Sequence, residues 1–344
     1  MHRSGQSRVT AIVPAYNEAE TVAETVASLL AQTRAPAEVI VVDDCSTDAT
    51  AAVAEAAGAR VIRPSANTGS KAGAQTFALG RVTTELVIAV DADTVLAPDA
   101  IEKLLPALDD RKVVAACGFV VPRRVRSIWE RGRYVEYMLA FGFFKRVQDH
   151  YGKPLIASGC FSVYRAAELR HAGGWSDRTM AEDMDLTWTF YAADHAVRFV
   201  PEAVAYPIEP HDFGFLGRQL KRWSHGFVQN VRLHRRPLLE LGYLRSLVVV
   251  GFWDALLASL AYLIVLPLLA IFVSPLFLLA YLIDAPFVAV PVLWQATERG
   301  ETGRALVSLP SFFVLRVVNG VFMLRAVWRE LVMKRPLLVY EKGH

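Results

Sequence analysis

Along the first 110 residues, short β-branched runs alternate with stretches whose apolar residues recur every three or four positions. The pairs are Thr10 to Val13 then Thr21 to Gln32, Val39 to Val42 then Ala49 to Ala57, Val61 to Arg63 then Lys71 to Leu79, and Leu86 to Val90 then Asp99 to Leu108. Strand followed by helix, repeated, predicts an α/β fold with a mostly parallel sheet. From about residue 113 the pattern loosens: Val113 to Val121 and Ile156 to Tyr164 read as strands, and Ile128 to Val147 as an aromatic helix. Between Phe213 and His234, Phe215, Leu216, Leu220, Trp223, Phe227 and Val231 recur at helical spacing among basic residues. Such a helix has one apolar face and suits a membrane interface.

A second change follows at Leu247. From there to Thr297 the only charged residues are Asp254 and Asp284, and Ser274-Pro275 breaks the stretch into two apolar runs. At about 1.5 Å per residue each can cross the roughly 30 Å of a bilayer's hydrocarbon. A third run, Ala305 to Leu324, carries Arg316 and Asn319 near its middle, where an arginine costs about 2.5–3.5 kcal/mol to insert. Two spans are expected, or three. The chain thus divides into a soluble domain over 1–212, interfacial helices over 213–246, a transmembrane region over 247–328 and a basic tail over 329–344.

Composition adds little to this division and charge adds more. Hydrophobic residues make up 53% of the 344, and the net charge is only +3, so basic residues matter by where they cluster. Arg218, Lys221, Arg222, Arg232, Arg235, Arg236 and Arg245 precede the first span, and Arg299 and Arg304 follow the second. The positive-inside rule then places the soluble part on the cytoplasmic face of the cell (inner) membrane. Clusters beside spans point to anionic headgroups rather than nucleic acid. The first residues, MHRSGQSR, lack the apolar core of a signal peptide. Cys45, Cys117 and Cys160 have no metal-like spacing and read as free thiols in a reducing compartment.

Ligands of open α/β sheets bind outside the carboxyl ends of the strands. Asn17 with Glu18, Asp43 with Asp44, and Asp91 with Asp93 all fall at such ends. Asp91 and Asp93 in IAVDADT share one face of a strand. They suit Mg²⁺ or Mn²⁺ with phosphate oxygens, although a lone DxD also caps turns. Asp43 and Asp44 suit a nucleobase or ribose contact, or a solvated turn. Lys71 in NTGSKAGA stands at a helix start, where phosphate binds readily, or is merely solvated. Glu182, Asp183 and Asp185 are first-turn acids; they favour the helix dipole, and one of them can accept a proton from an acceptor hydroxyl. Gln219, Arg222 and Trp223 lie on about one helical turn. Arg suits a diphosphate and Trp a sugar face, and an interfacial anchor explains them equally well.

Taken in order, PAYNE, DDCSTD, DAD, AED and QLKRW resemble the motifs of family-2 inverting glycosyltransferases. The last resembles the QxxRW element of their membrane-bound processive branch, the cellulose, chitin, hyaluronan and poly-N-acetylglucosamine synthases. The likeness runs from about residue 8 to 225 and implies a GT-A-like nucleotide-diphospho-sugar transferase fold. It implies that Pro14, Ala15, Tyr16, Glu18, Asp43, Lys71 and Asp91 bind the nucleotide, that Asp93 holds the metal, and that Asp183 is the base, with Glu182 beside it. Ser158, Gly159 and Cys160 would line the acceptor end. Gln219, Arg222 and Trp223 would close over diphosphate and acceptor. Two features depart from the pattern: Ala181 stands where a threonine is usual, and the spans are fewer than polymer channels use. The implied partners are a UDP-sugar, a glycan or lipid-linked acceptor, the bilayer, and a second copy or membrane partner subunit if product is translocated. Addition of a single sugar to a lipid, and a nucleotide-binding scaffold without turnover, are the alternatives.

Overall fold

The computed structural model describes residues 8–240 and 242–339, so the last five residues of the basic tail lie outside the described residues. The chain forms two compact units, one of residues 1–123 and 148–208 and the other of residues 124–147 and 209–344.

The first unit is built on an eight-stranded sheet of β1 (Val9–Ala15), β2 (Glu38–Asp43), β3 (Arg60–Ile62), β4 (Leu86–Val90), β5 (Val95–Leu96), β6 (Val113–Val120), β7 (Phe161–Arg165) and β8 (Ala196–Tyr206). Their order across the sheet is β3-β2-β1-β4-β7-β6-β8-β5. The β3-β2-β1-β4 half is parallel, as the strand–helix alternation requires. Beyond β4 the sheet is mixed, because β7 runs antiparallel to both β4 and β6, while β6 and β8 pair in parallel. Helices α1 (Val22–Leu30), α2 (Thr50–Ala56), α3 (Lys71–Leu79) and α4 (Ala100–Leu104) connect the first strands. Apolar faces of the strands, with Val13, Val41, Ile88, Val90 and Phe161, bury against Val26, Leu29, Ile101 and Leu104 of the helices. Gly118 is required where β6 passes β8, since a Cβ there would stand 2.3 Å from the Ala203 carbonyl.

One expected strand is shorter than its apolar pattern. Residues 156–160 are not strand, and β7 starts only at Phe161. The Phe161 N–H donates to the Ser158 carbonyl at 3.2 Å, closing a turn through Gly159 and Cys160. That turn, α7 (Ala166–His171) and α8 (Glu182–Ala192) complete the unit, with α6 (Lys145–His150) straddling the boundary.

The second unit contains α5 (Ile128–Leu139), whose start is fixed by a Ser127–Glu130 capping box, and α9 (Phe213–Leu233), capped by Asp212. After α10 (Arg235–Glu240), α11 (Gly242–Trp253) and α12 (Leu266–Phe272) come α13 (Ala285–Glu298) and α14 (Thr302–Val327). Leu216 and Leu220 of α9 bury against Leu315 of α14, with Trp129 of α5 packed alongside. Gly132 permits this approach, because a Cβ on it would lie 3.0 Å from Leu315 Cβ. Among the described residues, three helical stretches are long and apolar enough to cross a membrane: Ala255–Phe272, Pro275–Glu298 and Thr302–Val332. The arginine in the third is partnered. Arg316 pairs with Asp284, and its guanidinium lies 4.6 Å over the Tyr262 ring.

Candidate active site

Two of the strand-end loops are stitched to each other before any ligand is considered. Asn17 adopts a left-handed backbone (φ 53°), which frees its side chain to accept from the Thr47 N–H at 2.8 Å, while its own N–H donates to Ser46 Oγ at 2.9 Å. The Glu18 N–H donates to Thr50 Oγ1 at 2.7 Å, and Thr21 Oγ1 donates to Glu18 Oε2 at 2.9 Å. Register places Pro14 beside Val42 and Ala15 beside Asp43, and Tyr16 beyond them is exposed.

Asp43 is 1% exposed; it accepts from the Ser46 N–H at 3.0 Å and faces Arg63 Nε at 3.4 Å. Asp44 works as a clamp, accepting both the N–H and the hydroxyl of Thr68 at 2.8 and 2.9 Å. Its carbonyl accepts from Asn67. This holds the loop that leads into α3, whose first turn is capped by Ser70 accepting from the Gly73 N–H.

Lys71, at that first turn, is the hub. Its ammonium pairs with Asp91, donates to the Gly159 carbonyl at 3.0 Å and lies 3.7 Å from Glu182. Gly159 in turn donates its N–H to Asp183 Oδ2 at 2.8 Å, and the Asp183 Oδ1 accepts its neighbour's N–H, that of Met184, at 2.9 Å. The Asp91 N–H donates to the Cys160 carbonyl at 3.3 Å. Asp91, Lys71, Gly159, Cys160, Glu182 and Asp183, chosen from four separate segments, therefore form one connected cluster. Ser158 lies buried at its edge, its carbonyl accepting from the Ser162 hydroxyl. Asp93, part-buried two residues beyond Asp91, accepts from its neighbour Thr94 Oγ1 at 3.1 Å.

The charge balance explains the electrostatics. Three carboxylates, Asp91, Glu182 and Asp183, gather about one ammonium. Burial, followed by Glu182, pushes Asp183 up to about 6, against the lowering pull of Lys71 and of its two backbone donors. A carboxyl held near neutrality is suited to proton transfer. Asp185 takes no part in this cluster: it is buried in a bidentate pair with Arg178, and its role is to anchor α8.

Gln219, Arg222 and Trp223 belong to α9 of the second unit. Gln219 Oε1 is buried with no hydrogen-bond partner, and the Trp223 ring stacks on the Arg133 guanidinium at 4.4 Å. Arg133 itself escaped the sequence reading, as did Glu209, which binds it. The signal was an arginine and a tyrosine spaced i, i+4 on α5, whose burial no periodicity reveals.

Residues 10–172, which contain the Lys71–Asp91–Gly159 part of the cluster, match the model described as Glycosyl transferase family 2. That stretch, just under half of the chain, is similar to the domains of family-2 glycosyltransferases. Poly-beta-1,6-N-acetyl-D-glucosamine synthase of Staphylococcus epidermidis is 28% identical over 223 residues, 63% of this chain and 54% of that protein. The synthase of the same name from Staphylococcus aureus (strain COL) is 26% identical over 262 residues, 72% of this chain and 63% of that protein. The chain thus spans less than two thirds of the length of these curated relatives. Among solved structures, the mannosyltransferase PcManGT from Pyrobaculum calidifontis, in complex with GDP-Man and Mn2+, is similar to this chain with a TM-score of 0.64 at 20% identity. That match covers 96% of this chain and 89% of the other, and it establishes a shared GT-A-like fold.

Proposed function

We propose that the protein is a membrane-bound, metal-dependent inverting glycosyltransferase. It moves a sugar from a UDP donor, N-acetylglucosamine or glucose being the first to test, to a β-linked glycan or lipid-linked acceptor at the cytoplasmic face. The observation that carries this reading is Asp183: a carboxylate raised to about 6, aimed by the Gly159 N–H, and linked through Lys71 to Asp91 at the end of β4.

The chemistry balances with these groups. The acceptor hydroxyl gives its proton to Asp183 as its oxygen bonds to the anomeric carbon, and the bond from that carbon to the diphosphate breaks, its electron pair leaving with UDP. A single base opposite the leaving group inverts the configuration. Lys71 and Arg222 are the cations assigned to the diphosphate, while Pro14, Ala15, Tyr16, Glu18 and Asp43 form the nucleotide edge. Ser158, Gly159 and Cys160 face the acceptor, with Gln219 and Trp223 assigned to it from α9.

A divalent ion fits the residues present. Among the described residues no group of three or more His, Cys, Asp or Glu side chains is arranged for an ion, and Mg²⁺ characteristically needs only one or two carboxylates when phosphates supply the rest. Asp93 would hold Mg²⁺ or Mn²⁺, and the ion would neutralise charge on the departing diphosphate. The excess of carboxylate over ammonium in the cluster favours a cation there.

The test is turnover of purified protein in lipid with UDP-sugars, comparing wild type with Asp183→Asn and Asp93→Asn. A loss of about 2 to 4 orders of magnitude is expected from removing the base; wild-type rates in both variants would overturn the assignment. A second reading, addition of one sugar to a lipid, is favoured by the three apolar helices, few to line a passage for a polar polymer. Mass spectrometry of the product separates the two, since a ladder supports elongation and a single adduct excludes it.

A further inference from the structure

The second unit buries an arginine completely. Arg133 on α5 is 0% exposed. Its Nε donates to Glu209 Oε2 at 3.1 Å, its Nη2 donates to Tyr137 Oη at 2.7 Å, and its Nη1 pairs with Glu136. The ring of contacts closes where Tyr137 Oη donates to Glu209 Oε1 at 2.7 Å. Glu136 is held from the other side by Asn319 Nδ2 at 3.3 Å. With its edge so committed, the guanidinium presents a flat face, and Trp223 lies on it with the ring centroid 4.4 Å away.

We infer that Arg133 is a positioning residue whose function is to set the plane of the Trp223 indole for a pyranose ring; this rests on the sugar-transfer reading of the preceding subsection. Trp223 keeps part of its surface exposed, and it shares a helical face with Gln219, one turn earlier, whose buried Oε1 has no partner. A tryptophan recognises a sugar through its ring face, so affinity and alignment depend on the tilt of that face. An indole free to rotate would lose both. All three guanidinium nitrogens are engaged at its edge, which only the planar fork of an arginine can supply while still stacking. Lysine keeps the charge and loses the plate.

Two measurements on the full chain in detergent with lipid decide the matter. The first needs no ligand: acrylamide quenching of the fluorescence component that Trp223→Phe removes. Arg133→Lys should make that component more quenchable, and an unchanged value would overturn the proposal. The second is steady-state transfer from UDP-N-acetylglucosamine with a β-linked N-acetylglucosamine oligosaccharide as acceptor. Arg133→Lys should raise the acceptor KM by about 3- to 30-fold, the worth of one cation–π contact, with the donor KM unchanged. In the Trp223→Ala background the same substitution should cost nothing more; an additive loss would show that Arg133 acts elsewhere. Glu209→Gln, which keeps an acceptor for Arg133, serves if the lysine variant fails to fold, with a smaller KM change in the same direction. Absence of any transfer by the wild type would count against the proposed function, and the quenching result would still decide the role of Arg133.

Discussion

The backbone N–H of Gly159 donates to Oδ2 of Asp183 at 2.8 Å, tying the turn before β7 to the first turn of α8. The Gly159 carbonyl accepts from Lys71 at 3.0 Å, so one peptide unit on each side of a glycine orients both the Asp183 carboxylate and the Lys71 ammonium. Charge-assisted bonds of this kind are short and directional. They hold a carboxylate whose burial would otherwise favour rotation toward water.

The first prediction concerns pH. Asp183 must be ionised to accept a proton, and its value is pushed up to about 6 by burial and Glu182. The rate should therefore fall about tenfold for each pH unit below about 6. Lys71 opposes the rise, so in Lys71→Met the acid limb should move to higher pH. Stability carries the opposite sign. A carboxyl raised above its unfolded value of 3.8 contributes stability that is present below that value and lost as pH rises through about 6. Asp183→Asn should accordingly be no less stable than wild type in thermal unfolding at about pH 8. A pH–rate profile flat across about 5 to 7 would remove Asp183 as the base.

A methyl group at Gly159 would meet Asp183 Oδ2 at 2.9 Å and Lys71 Nζ at 3.2 Å. Both are ends of side chains and can yield, so the fold survives while the alignment does not. Gly159→Ala should lower kcat by about 10- to 100-fold, since displacements of about 1 Å can cost 10²-fold, with little change in unfolding temperature. Kinetics and calorimetry on the same preparation check both halves.

Gly118→Ala should behave in reverse. Its Cβ would stand 2.3 Å from the Ala203 carbonyl and 2.6 Å from the Phe161 ring, and backbone in a paired strand cannot move aside. We expect a loss of about 1 to 3 kcal/mol of stability from overpacking, measured as a lowered unfolding midpoint with site geometry otherwise retained.

Arg316 and Asp284 make the fourth case. Each lies in or beside an apolar helix, and each satisfies the other. Arg316→Leu leaves Asp284 uncompensated and should destabilise the detergent-solubilised protein by about 3 to 5 kcal/mol, whereas the double change with Asp284→Leu should recover most of that loss. Equal stability of the single and double variants would show the pair to be idle.

The parallel half of the fold was legible because its strands are buried on both faces and its helices repeat at 3.6 residues. β1, β2, β4 and α3 therefore fall within two residues of where the pattern puts them. β8 carried no comparable signal: Arg198, Pro201 and Glu202 interrupt its apolar run, and only its pairing with β6 makes it a strand. Residues 156–160 misled for the opposite reason, an apolar stretch whose Gly159 bends it into a turn.

The sequence by itself determined which residue types meet at the strand ends, since a strand–helix repeat places Asp43, Asp91 and their neighbours at one edge whatever else the chain does. It also determined the apolar helices, which need only length and composition. What tertiary structure alone decided is who partners whom. Lys71 joins Asp91, Glu182 and Gly159 across gaps of 20, 111 and 88 residues, and Arg133 finds Trp223 and Glu209 across gaps of 90 and 76. Such pairings are settled by the packing of whole elements, whose contacts are distant in the chain and leave no local period to read.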